Sequence, residues 1–85
     1  MEHSELVARY RRRIMTKARV HALSCRGQDE SWTSVRVGAG RFVDVNLVRS
    51  SRGWTVTAYA VDGSGDDMVL NPSVFATVGV IGGDL

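Results

Sequence analysis

The sequence predicts an α+β fold in which a long N-terminal amphipathic helix packs on an antiparallel β-meander of three to four strands. Three observations lead there. Apolar residues recur at three- and four-residue steps as far as Cys25, and beyond it the period drops to two. Short glycine-bearing turns then separate the alternating runs. At 85 residues, 44% apolar and 24% charged, the composition is that of a globular chain, and residues 1–85 are read as one small domain.

The helix is expected over residues 5–26. Val7, Tyr10, Ile14, Ala18, His21 and Cys25 make its apolar stripe, with Leu6, Met15 and Ala22 flanking it. Ser4 suits the N-cap, Glu5 the positive first turn, and Gly27 the stop after Arg26. At about 100° per residue, Arg9, Arg12, Arg13 and Arg19 fall opposite the stripe, with Lys17 and Arg26 at its edges. Val20 and Leu23 stand among these cations, where a purely solvated face would carry polar residues, so both are candidates for partner contact.

Strands are expected at about 32–37, 42–49 and 54–61. Val35, Val37, Val43, Val45, Leu47, Trp54, Val56 and Ala58 share the face that should receive the helix. The other face presents Ser34, Arg36, Phe42, Asp44, Asn46, Val48, Thr55, Thr57, Tyr59 and Val61. Within it Arg36, Phe42, Asp44, Asn46, Thr57 and Tyr59 have the mixed aromatic, polar and charged character of a protein interface. Asp62 to Asp67 reads as an acidic loop. The last element, 68–81, is ambiguous: Asn71-Pro72 could open a helix, whereas the β-branched run after it favours a strand over 73–80. An unbroken helix over 5–26 would be about 33 Å long and would overhang strands of about 24–27 Å by roughly a turn.

Charge is unevenly distributed. Residues 1–26 hold seven basic and two acidic side chains, a net of +5, while residues 27–85 hold four against seven, a net of −3. No basic residue follows Arg52, and ten of the eleven cations are arginine, the better bidentate partner of phosphate and carboxylate. This asymmetry predicts an anionic partner for the N-terminal part, or head-to-tail self-association, and a homodimer is expected.

Other chemistries find little support. One cysteine excludes a disulfide framework. His21 and Cys25 have a zinc-compatible spacing but lack further ligands, and His3 is the only other histidine. Asp62, Ser64 and Asp66 imitate a calcium loop, yet Ser73 stands where the bidentate glutamate is required. Gly38-Ala39-Gly40 lacks the third glycine of a dinucleotide loop, and Gly63-Ser64-Gly65 is not a nucleophile elbow. No enzyme, cofactor, metal or small-molecule substrate is expected. Nor is a membrane partner, because the longest apolar stretch is shorter than the about 20 residues of a span. A cytoplasmic location is the expectation.

The reading that follows is a non-enzymatic binding module whose arginine-rich helix docks on an anionic surface. Nucleic acid comes first, through Arg9, Arg12, Arg13, Lys17, Arg19 and Arg26. The competing reading is an adaptor or inhibitor that occludes a larger protein, through the sheet face or through the same helix set against an acidic protein surface.

Overall fold

The 3.6-residue pattern folds as helix, but as two helices rather than one. The computed structural model describes residues 2–38, 41–62 and 69–82. The expected acidic loop beyond Asp62, the glycine turn at 39–40 and the start of the last element at Met68 lie outside them. Helix α1 is His3–Arg9 and helix α2 is Arg11–Ser24. The start moves upstream of the expected Ser4 cap, which now lies inside α1. Glu2 precedes the helix and makes no side-chain cap.

The break at Tyr10 is forced by neither proline nor glycine. Tyr10 takes φ −103° and ψ 16°. Its N–H still reaches the Leu6 carbonyl at 3.0 Å, and its own carbonyl still accepts from Ile14 at 3.0 Å. The chain therefore bends while keeping these hydrogen bonds. The bend answers the length mismatch between helix and sheet: α1 turns onto the last strand instead of overhanging. His3 Nε2 is hydrogen-bonded to the Ala58 carbonyl at 2.9 Å, and Arg11 Nε donates to the Val78 carbonyl at 3.0 Å, tying both helix starts to the sheet. Helix α2 ends at Ser24, short of the expected residue 26, and Gly27 reverses the chain at φ +91°.

Four strands follow, β1 (Glu30–Arg36), β2 (Phe42–Ser50), β3 (Gly53–Asp62) and β4 (Val69–Ile81), in the spatial order β1-β2-β3-β4 and antiparallel throughout. The β2–β3 turn depends on Gly53. It takes φ +122°, and a Cβ there would collide with the carbonyl oxygen of Ile81.

The ambiguous C-terminal element is strand. Tyr59 pairs with Phe75 and Ala60 with Asn71, so Pro72, Ser73 and Val74 bulge out of register. A bulge is where proline, with no N–H to give the ladder, can be accommodated. The Asn71 Oδ1 accepts from Ser73 N at 3.2 Å and from Ser73 Oγ at 2.7 Å, a side-chain-closed turn. Tertiary pairing with β3 gives the β-branched run its ladder, and the helix signal of Asn71-Pro72 is absorbed as a local turn.

The core lies between the helices and one sheet face. Leu6, Val7, Ile14, Met15, Ala18, Ala22 and Cys25 meet Val35, Val37, Val43, Val45, Leu47, Trp54, Val56 and Ala58 there, joined by Val78 and Ile81. Every residue expected on the helix-receiving face is buried. No helix among the described residues is long and apolar enough to cross a membrane.

Candidate functional site

The outward face of α2 follows from the buried one. With Ile14, Met15, Ala18 and Ala22 turned to the sheet, helical geometry puts Thr16, Val20 and Leu23 along the middle of the exposed side. Arg13 and Lys17 flank that strip towards β1, and Arg12 and Arg19 flank it on the other side. Arg13 Nη1 donates to the Arg36 carbonyl at 3.3 Å, which marks the β1 side. Val20 and Leu23 are 63% and 54% exposed, so the two apolar residues among the cations do face solvent.

Near the helix bend this surface forms a shallow, open groove of about 570 Å³, lined by Arg9, Tyr10, Arg12, Arg13, Thr16, Lys17 and Val20. Tyr10 is half-buried, its ring packed against the core. The Arg9 and Arg13 guanidiniums lie 5.9 Å and 5.8 Å from that ring's centroid, within cation–π range. The Arg9 and Arg13 guanidiniums thus stand by the ring at one end of the groove, whose wall is mostly apolar and to which Arg12 and Lys17 contribute chiefly their hydrocarbon stems. Of the six basic residues expected to act together, the structure gathers Arg9, Arg12, Arg13 and Lys17. Arg19 lies on the far flank of α2, and Arg26 lies in the turn beyond its end. Tyr10 and Thr16 were missed by sequence reasoning. Periodicity places Tyr10 wholly on the apolar side, because a bend there leaves no signature in it.

The outer sheet face is the second surface. Arg36, Phe42, Thr57 and Tyr59 lie on it as expected, with Asp44 half-buried between Ser34 and Tyr59 in the cross-strand register. Asn46 departs from expectation: it is buried, and its Nδ2 donates to the Ser31 carbonyl at 3.4 Å. It therefore ties β1 to β2 and is not available as a contact residue. The surface contains a feature that the sequence reading missed. Trp32, Tyr59 and Phe75 form a row across the strands, with ring centroids 5.4 Å and then 5.7 Å apart. Trp32 is 43% and Phe75 58% exposed. Alternation counted back from Val35 would have placed Trp32 here, whereas Phe75 could be placed only once β4 was known to be a strand.

His21, Cys25 and Ser31 meet at the junction of α2 and β1. The Ser31 hydroxyl accepts from the buried Cys25 thiol at 3.3 Å and lies 2.8 Å from His21 Nε2. With the thiol donating, the hydroxyl's own proton can point at the imidazole. This arrangement satisfies three part-buried polar groups and locks the end of α2 onto β1. Among the described residues no three His, Cys, Asp or Glu side chains cluster as a metal site would require. No protein-family model, curated protein or solved structure matches the chain.

Proposed function

We propose that the protein is a small non-enzymatic binding module that docks the groove of α2 on an anionic surface, with nucleic acid as the leading partner. The observation that carries this reading is the convergence of Arg9, Arg12, Arg13 and Lys17 on one open groove. Phosphate binding is additive in cations, each neutralised phosphate releasing counterions. The cations from Arg9 to Lys17 span about 12 Å of helix, the rise of about three to four base pairs, so they can follow a short backbone track. A cytoplasmic location belongs to this reading. The test is binding of a fluorescent random-sequence duplex by the wild type and by Arg12→Glu with Arg13→Glu. The double reversal is expected to weaken binding about a hundredfold or more while circular dichroism stays unchanged, because both residues are exposed. Undiminished binding overturns the proposal.

Exposed Val20 and Leu23 favour a second reading, in which an acidic protein surface occupies the same face and the module acts as an adaptor or inhibitor. Phosphate tracks do not need these apolar side chains. Val20→Ser with Leu23→Ser should leave duplex binding within about twofold and weaken an acidic protein partner tenfold or more.

A further inference from the structure

We infer that a second copy of this chain packs on the outer face of the sheet, giving a back-to-back α/β/β/α dimer whose two basic grooves point away from each other. The face has the shape and composition for it. Its centre is the aromatic row Trp32–Tyr59–Phe75, flanked by exposed Phe42, Val48 and Val80, and no described element covers it. An uncovered apolar row of this extent on so small a chain marks a surface that another molecule buries.

Charge disfavours a polyanion here, and the area fits a second copy. The alternation that puts Trp32 and Arg36 on this face also puts Glu30 there, and with Asp44 the face carries two acids against one arginine. A phosphate backbone would gain nothing from that balance, in contrast to the α2 groove. Four strands about 4.8 Å apart, paired over about 24–31 Å, give on the order of 500 Å² of sheet plane per copy. The relief of the three aromatic rings raises the accessible area towards the about 600–1,000 Å² per partner of a standard-size pair. Two sheets packed face to face lie about 10 Å apart. With a helix layer outside each sheet, the two cationic faces stand on the order of 40 Å apart, several times the Debye length of about 8 Å at physiological salt. This pairing therefore buries the apolar face without opposing two arginine helices.

The sheet edges are poorer routes to self-association. The outer edge strand β4 is interrupted by the Pro72 bulge, and β1 carries Glu30 and Arg36 at its ends. The pairing also gives the molecule a property that one copy lacks. Two grooves facing opposite ways can bridge two anionic segments but cannot lie together on one straight duplex.

The test is sedimentation equilibrium of the full chain without nucleic acid, from about one to several hundred micromolar, the range a pair at the low end of interface sizes requires. Acrylamide quenching of tryptophan fluorescence is followed in parallel. Trp54 is buried, so a change in quenching with concentration reports Trp32. The expected result is a reversible dimer in which Trp32 becomes protected as concentration rises. Trp32→Ser with Phe75→Ser should raise the dissociation constant about a hundredfold or more, as truncating paired aromatic anchors does. Val20→Ser with Leu23→Ser should leave it unchanged. A single-copy mass across the range overturns the inference. So does a dimer that survives the sheet variant, or one that only the helix variant dissolves. Protection of Trp32 by a short single-stranded thymidylate oligonucleotide in a protein that stays single-copy also overturns it, by making the face a base-stacking surface.

Discussion

The two exposed faces of the molecule are built on the same core and differ in almost every other respect. The outward face of α2 gathers four cations around a groove whose one aromatic ring is half-buried. The outer sheet face has three aromatic rings in contact and an almost balanced set of charges. A helix displays side chains in diverging directions, so its cations can separate around a groove and remain solvated. A sheet sets side chains about 5 Å apart across its strands, which suits rings in mutual contact. The difference teaches that one basic, small chain can carry two surfaces of opposite chemistry. Net charge, which describes only the first face, says nothing about the second.

The largest expected effect abolishes the comparison by removing what both faces stand on. Leu47→Ala or Ile14→Ala opens a cavity between fully buried neighbours and should cost about 2–5 kcal/mol of stability, read by urea denaturation. For a chain of this size such a loss should impair both surfaces together. Gly53→Ala should cost about 1–3 kcal/mol, because the new methyl must displace the Ile81 carbonyl and the positive φ is strained for any other residue. Because both faces stand on one core, the groove and the sheet face should be lost together, at a lower denaturant concentration than in the wild type.

Sharper contrasts come from the surfaces themselves. Phe42→Ala with Tyr59→Ala should weaken any sheet-mediated complex about tenfold or more and change duplex binding by less than about twofold. Equal losses in both assays would mean that the two faces are one continuous site. The smallest effect is expected at the α2–β1 junction. Ser31→Ala removes the acceptor of the Cys25 thiol and the partner of His21, and should cost about 1 kcal/mol by thermal denaturation while leaving both surfaces in place.

Much of this arrangement is legible in the sequence because burial imposes period. The helix-receiving face of the sheet could be read residue by residue, from Val35 to Ala58, since each strand alternates around one apolar side. The basic face of the helix could be read for the same reason. What escaped is what period does not encode. The bend at Tyr10 arises from fitting a long helix to shorter strands, and nothing in residues 9–11 announces it. Asn71-Pro72 has the local chemistry of a helix start, but pairing with β3 outweighs it and turns it into a bulge. Asn46 has outward parity yet is buried and bonded to the Ser31 carbonyl, because cross-strand neighbours decide exposure on a crowded sheet face. The groove is half legible: the cations are evident in the sequence, but their convergence depends on the bend.

The central claim is that the cations of the α2 groove neutralise phosphates, and a salt titration of duplex binding tests it most directly. If Arg9, Arg12, Arg13 and Lys17 each meet one phosphate, log K should fall with log salt at a slope of about −3.6, and affinity should drop about a hundredfold between 50 and 200 mM. Replacing Arg12 and Arg13 by glutamine should reduce that slope by about two. A wild-type slope near zero, or a slope that the double replacement leaves unchanged, would contradict the account.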